Sequence, residues 1–288
     1  MLVKPRELFA KAFNMQYALG AFNTSNLELT QAIIWAAQKQ RAPVIVQTSE
    51  GAIEYTGQKQ IAAIISSLAG EANVPVVMHL DHGHSMAVVK NCIEAGYTSV
   101  MIDASTKPID ENIALTGEVV EYAHAHGVWV EAELGTILGA EGIKTLQGEA
   151  PSDELLTNPA QTKKFVEATG VDCLAVAVGT IHGAFSGREY IRFELVEEIA
   201  KQLPALPLVI HGASGLASEH LQRVAHTNVC KVNVDTELRL AFERAVKSYF
   251  GQEHDKCDPR KILGPARDAV QRVVEEKIRL FGSDGKAA

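Results

Sequence analysis

Apolar residues along this chain recur in two patterns. Short runs rich in Val, Ile and Ala alternate with longer stretches whose apolar positions are spaced three and four apart. The first pattern predicts strands buried on both faces, and the second predicts helices with one face turned inward. A short helix over 5–15 precedes a first strand, Tyr17–Phe22, which ends at Asn23. Further strands are expected at Pro43–Gln47, Pro75–Leu80, Ser99–Ile102, Val128–Leu134, Cys173–Val178, Leu206–Ile210 and Val229–Val232. Helices are expected over 26–41, 58–72, 85–95, 109–126, 159–169, 193–202 and 217–226. Two more, about 236–250 and 262–281, follow the last strand. A polar segment from Gly135 to Asn158, rich in Gly, Glu and Thr, is long enough to imply a functional loop.

Eight short strands, each followed by a helix, predict an α/β fold: a closed (β/α)8 TIM barrel with extra C-terminal helices. The whole chain, 1–288, reads as a single domain, without linker, repeat or low-complexity run. Barrels of this kind carry their chemistry at the C-terminal strand ends. Here those ends hold Asn23, Ser49, Asp81-His82, Asp103, Glu133, His182, His211 and Asn233. Every strand thus ends on a polar group that could face one pocket.

The third strand is the most telling. Val76-Val77-Met78-His79-Leu80-Asp81-His82-Gly83-His84 starts apolar and ends in an acid and two histidines, which packing alone does not require. His82, His182 and His211, on strands three, six and seven, suit a divalent metal, with zinc the default and positions left open for a substrate. Asp103 and Glu133 could hold a second cation or the same metal in another position; capping is the plainer role for each. His79 and His84 are expected behind or beside the ligands. Strand alternation turns Asp81 away from a metal held by His82, unless the strand end bends, and it suits a general acid/base. Glu141, in the Gly-rich loop, is a second candidate proton carrier that loop closure could deliver.

Strands seven and eight run into Gly212-Ala213-Ser214-Gly215 and Asn233-Val234-Asp235-Thr236. Small residues there expose backbone N–H groups at helix N-termini, the usual phosphate site of such barrels, and Gly183 adds another. A metal beside a phosphate cradle suits enolate chemistry on a phosphorylated ketose, although a metal-dependent phosphohydrolase would use similar parts.

Composition narrows the partners. A net charge of −8 and a pI near 5.7 disfavour nucleic acid and anionic membranes. Cys92, Cys173, Cys230 and Cys257 are scattered without metal-binding spacing and read as reduced thiols. The N-terminus lacks the apolar core of a signal peptide, and no apolar stretch reaches membrane-spanning length, so a cytoplasmic protein is expected.

The motifs resemble those of the class II, metal-dependent fructose/tagatose-bisphosphate aldolases. Val74-Pro75-Val76-Val77-Met78-His79-Leu80-Asp81-His82-Gly83 looks like the family's first signature, and Glu131-Ala132-Glu133-Leu134-Gly135 with Gly139 and Glu141 looks like its second. The likeness extends through Gly20–Asn23, Ser49–Ala52, His182–Phe185, His211–Gly215, Asn233–Glu237 and Asp258–Arg260. The resemblance implies that His82, His182 and His211 hold a catalytic zinc, and that Glu133 and Asp103 bind a second or displaced zinc. It implies that Asp81 acts on the C4 hydroxyl and Glu141 at the ketone-side carbon. It places dihydroxyacetone phosphate on Gly183, Gly212, Ala213, Ser214, Asn233, Val234, Asp235 and Thr236, with a monovalent cation (Na+ or K+) near Gly183. Asn23 and Ser49 match further substrate contacts. Arg260 matches an arginine that reaches the distal phosphate from a neighbouring subunit, which implies a homodimer or homotetramer.

Two positions depart from the family's pattern. Leu138 stands where Gly or Met is usual, and Ser186 stands where many fructose-specific members have Lys and tagatose-type members have Ser or Ala. Ser49–Ala52 and Asn233–Thr236 read as fructose-type. The expectation is therefore reversible cleavage of fructose 1,6-bisphosphate, with tagatose 1,6-bisphosphate as the nearest rival and a noncatalytic aldolase-like subunit as another.

Overall fold

Eight parallel strands close into a barrel, each paired with the next in chain order and the last with the first. The computed structural model describes residues 1–139, 151–183, 191–251 and 258–287. The first half runs α1 (Arg6–Met15), β1 (Leu19–Asn23), α2 (Leu27–Gln40), β2 (Val44–Ser49), α3 (Glu50–Thr56), α4 (Gln58–Glu71), β3 (Val76–Gly83), α5 (Met86–Glu94) and β4 (Ser99–Ile102). Then come α6 (Ile109–Ala125), β5 (Trp129–Leu134), α7 (Pro159–Thr169), β6 (Cys173–Val176), α8 (Phe193–Gln202), β7 (Leu208–Ile210), α9 (Ser218–Val224) and β8 (Val229–Val234). The chain ends with α10 (Thr236–Phe250) and α11 (Pro259–Leu280).

Alternation along the strands sorts the apolar side chains into two cores. Leu19, Ala21, Ile45, Val77, Met101, Cys173, Ala175, Val209 and Cys230 fill the lumen. Their strand neighbours, such as Phe22, Val46, Met78, Leu80, Val100 and Val232, face outward into the helix layer. The N-terminal helix plugs the bottom of the barrel. Phe9 and Ala12 of α1, together with Tyr17, join the lumen cluster, and Phe9 lies 5.0 Å from the Trp129 ring. Burying a side chain such as Phe9 contributes roughly 1.5–3 kcal/mol.

The expected order of elements holds, with local differences that have simple causes. Helix α3 was not expected; Ser49 caps its start by accepting from Ala52 N, and Gly57 ends it with its N–H on the Ile53 carbonyl. Helix α11 starts at Pro259 rather than 262, because Asp258 accepts from Arg260 N and Pro259 suits the first helical position. It runs through Pro265 and packs on both α2 and α10. The described residues contain no helix long and apolar enough to cross a membrane.

Candidate active site

The C-terminal rim is shaped by a defect in β3. Between the pairs Leu80↔Val100 and Gly83↔Ile102, β3 advances three residues while β4 advances two, so one residue of β3 is extra. That bulge contains His82, whose φ of +47° is left-handed and strained for a non-glycine residue. Regular alternation would aim Asp81 into the lumen and His82 outward into the helices. The bulge keeps Asp81 inward and rotates His82 to the mouth. The expectation that Asp81 points away from the His82 site is therefore corrected: the strand end bends, and both side chains serve the same rim.

At that rim His82, His182 and His211 bring ring nitrogens within 4.8 Å of one another. The hydrogen bonds decide which nitrogens are left to face a ligand. Asp103 takes His82 Nδ1 at 2.8 Å, and Glu131 takes His211 Nε2 at 2.8 Å. His82 Nε2 and His211 Nδ1 then meet at 2.9 Å, while His182 Nε2 is buried without a hydrogen-bond partner. His182 is itself anchored through its backbone N–H on the Leu138 carbonyl at 2.8 Å. The Leu138 side chain is exposed, so the departure at that position leaves this anchor intact.

Electrostatics fit a cation at the same place. Burial opposes a charge on His82, but Asp81, the Asp103 hydrogen bond and Glu133 outweigh it and lift its pKa to about 10. Burial, reinforced by His82 and His211, takes His182 down to about 3, and burial also lowers His211. The site thus offers imidazole lone pairs on His182 and His211, and around His82 a ring of carboxylates that favours positive charge, whether a proton or a metal. Among the described residues a second group, His82 with Asp103 and Glu133, could also hold an ion. Glu133 Oε2 is buried and without a hydrogen-bond partner, and burial followed by the charge of Asp103 raises the Glu133 pKa to about 8. The donor set, nitrogen-rich with nearby carboxylates, suits zinc.

Asp81 is completely buried, yet its carboxyl is held well below the usual carboxylate range. Burial opposes ionisation, and the neighbouring His82, His211 and Lys231, together with an Asn23 hydrogen bond, overcome it. Asn23 donates to Oδ2 at 2.8 Å and Asn233 to Oδ1 at 3.0 Å. A charged acceptor fixed on both oxygens is a group positioned to take and return a proton.

The cradle on strands seven and eight is also assembled. His182, Gly183, Gly212, Ser214, Asn233, Asp235 and Thr236 line one small cavity beside the histidines. Gly212 is required there. Its φ is +64°, and a Cβ would lie 2.3 Å from the Ile181 carbonyl oxygen. Asp235 precedes the 15-residue α10, so the N-terminus of that helix opens at the cavity. Ala213 and Val234 are buried at the same two strand ends.

A larger cavity of about 760 Å³ opens above the metal group, lined by Ser25, Ser49, Glu50, Tyr55, His84, Asp103, Glu133 and Arg239 among others. Ser49 is therefore brought to the site. Asn23 lies beneath it, holding Asp81. His84 is exposed and paired with Glu50, whereas His79 is buried, bonded to Ser99 at 2.7 Å and 3.6 Å from Glu131. Arg260 does not line the cavity; its side chain is 89% exposed and paired with Asp258 at 2.8 Å. Glu141, Ser186 and Cys257 lie outside the described residues.

Sequence reasoning missed Glu131 and Lys231 as parts of the site. Lys231 is 1% exposed and meets Glu131 Oε2 at 2.9 Å. The signal was present: a lysine inside the apolar run Val229-Cys230-Lys231-Val232 demands a buried counter-charge, and Glu131, two residues before Glu133, shares its face of β5.

Comparison with known proteins agrees with this geometry. The family profile described as fructose-bisphosphate aldolase class-II matches residues 3–286. The fructose-bisphosphate aldolase of Geobacillus stearothermophilus is 44% identical over 290 residues, covering 100% of this chain and 99% of that protein. That of Thermus caldophilus is 44% identical over 310 residues, covering 100% of both. The crystal structure of the YdjI aldolase from Escherichia coli K12 superposes with a TM-score of 0.87 at 36% identity, covering 100% of each chain. On these grounds the chain belongs to the class II fructose-bisphosphate aldolase family.

Proposed function

We propose that this chain catalyses the reversible, zinc-dependent aldol cleavage of fructose 1,6-bisphosphate to dihydroxyacetone phosphate and glyceraldehyde 3-phosphate. The observation that carries the reading is the convergence of three imidazoles beside an ionised Asp81 and a cradle of small residues. His82, His182 and His211 would hold the zinc, with Asp103 and Glu133 available to a second or displaced ion. The bound metal supplies a Lewis acid that polarises the ketone and stabilises the negative charge left on carbon when the C–C bond breaks.

The remaining steps belong to the chain's own residues. The C1 phosphate sits on Gly183, Gly212, Ala213, Ser214, Asn233, Val234, Asp235 and Thr236, where backbone dipoles do the binding in an otherwise acidic protein. A monovalent cation near Gly183 would complete that subsite. Asp81 takes the proton of the C4 hydroxyl as the C3–C4 bond opens, and returns it in condensation. Glu141 is assigned the proton at the ketone-side carbon. Ser49 contacts the substrate at the mouth, and Asn23 acts by holding Asp81. Arg260 would serve the distal phosphate of a neighbouring copy in a homodimer or homotetramer; its outward position on this chain is compatible with that role. We place the activity in a single cytoplasmic barrel domain spanning 1–288.

The test is a coupled assay with fructose and tagatose 1,6-bisphosphates, before and after chelation, on the wild type and Asp81→Ala. Chelation should abolish turnover, and borohydride with substrate should leave it intact, because no Schiff-base lysine is involved. Asp81→Ala should keep its zinc and lose most turnover. A large preference for tagatose 1,6-bisphosphate would overturn the sugar assignment. Zinc lost in step with activity would overturn the role of Asp81.

A further inference from the structure

Beneath the candidate site, buried polar side chains with no assigned part in the reaction, Lys231, Glu131 and Gln47, bond to residues that have one. Lys231 Nζ has three acceptor atoms around it: Glu131 Oε1 at 3.1 Å, Glu131 Oε2 at 2.9 Å and Asn233 Oδ1 at 2.7 Å. An ammonium has three donors and no acceptor, so all of its capacity is used. Asn233 therefore sits between a group that can only donate, Lys231, and the Asp81 carboxyl, whose other oxygen already accepts from Asn23. A single amide orientation satisfies both: oxygen toward Lys231, NH2 toward Asp81 at 3.0 Å. On the opposite side Gln47 Nε2 donates to Asn23 Oδ1 at 2.7 Å, which turns the Asn23 NH2 toward the other Asp81 oxygen.

We propose that Lys231 is a positioning residue for the reaction: by fixing the Asn233 amide it holds the Asp81 carboxylate in the rotation that reaches the substrate hydroxyl. The inference rests on the reading of Asp81 as the proton carrier. Lys231 does not itself contact the substrate cavity; it is 1% exposed and lies two residues below Asn233 on β8. Without the ammonium, the Asn233 amide loses the partner that distinguishes its two ends, and a flipped amide would set its oxygen against the Asp81 oxygen. Asp81 would then turn or recruit water, and the proton transfer would lose its alignment. The same ammonium neutralises Glu131 behind His211, so a charge-compensating role has to be separated from the orienting one.

The experiment uses the full-length zinc-loaded enzyme with fructose 1,6-bisphosphate as substrate. Lys231→Met alone leaves Glu131 buried without its counter-ion and destabilises the fold, so the informative variant is Lys231→Met with Glu131→Gln. That pair removes both charges and keeps a carbonyl to accept from His211. Zinc content and the urea midpoint should stay near wild type, while kcat falls about 10–100-fold, the usual effect of removing an outer partner of a reacting group. In an Asp81→Ala background the same pair should cause no further loss of kcat, because the group it positions is already gone.

Wild-type kcat in the paired variant, beside an inactive Asp81→Ala, would overturn the inference alone and leave Lys231 a counter-ion. Losses that multiply on the Asp81→Ala background would overturn it as well, as would zinc loss that tracks the fall in kcat. Full turnover by Asp81→Ala would overturn the reading of Asp81 first, and the inference with it.

Discussion

Replacing Gly212 by Ala tests how tightly the metal group and the phosphate cradle are joined. Gly212 follows His211, and the atoms its Cβ would strike belong to Ile181, which precedes His182. The new carbon would lie 2.3 Å from the Ile181 carbonyl oxygen and 2.6 Å from its carbonyl carbon. No flexible side chain can yield, since both contacts are backbone. The φ of +64° adds the left-handed penalty of an L-residue, about 1–2 kcal/mol. Relief of the overlap needs the segments that follow β6 and β7 to separate, and overpacking of this kind costs about 1–3 kcal/mol. A total destabilisation of about 2–5 kcal/mol is expected. The movement would also part His182 from His211 and distort the cavity lined by Gly183 and Ser214. Urea unfolding of the metal-free protein, zinc retention on dialysis and KM for the bisphosphate together read the three effects. Reduced stability, weaker zinc binding and a higher KM should appear in one variant. An Ala variant that matches the wild type in all three would refute the coupling of the two subsites through this backbone contact.

Two further outcomes follow from the hydrogen-bond pattern. Asp103→Ala removes the partner of His82 Nδ1 and should weaken zinc binding about 10–100-fold in competition with a chromophoric chelator; unchanged affinity would mean that the bond does not orient the ring. His79 is buried, and desolvation, with a smaller contribution from Lys231, lowers its pKa to about 3, so it is neutral in the native protein while the unfolded chain binds a proton below about pH 6.5. The unfolded state therefore holds more protons between those values, and stability should fall as pH drops, by about 2 kcal/mol from this group between pH 6.5 and 5. With chelator present throughout, His79→Gln should flatten the dependence of urea stability on pH by up to about 1.4 kcal/mol per pH unit; an unaltered slope would exclude His79 as a contributor.

The barrel was legible because its information is local. Strand periodicity, β-branched runs and the helices between them are written in neighbouring residues, and the rule placing chemistry at C-terminal strand ends turned eight positions into one candidate pocket. His82, His182 and His211 could be named from the letters for that reason, and the structure brings them together. What the letters did not determine is direction and pairing. The side-chain period of two misplaces Asp81 relative to His82, because the extra residue of β3 and the left-handed His82 are set by how β3 meets β4, which is a property of the closed sheet. Lys231 and Glu131 are 100 residues apart, and a lysine in an apolar run says only that a buried acid must exist somewhere. Which acid it finds, which amide it orients and which histidine that acid holds depend on distances across the lumen, and those exist only once β8 has closed on β1.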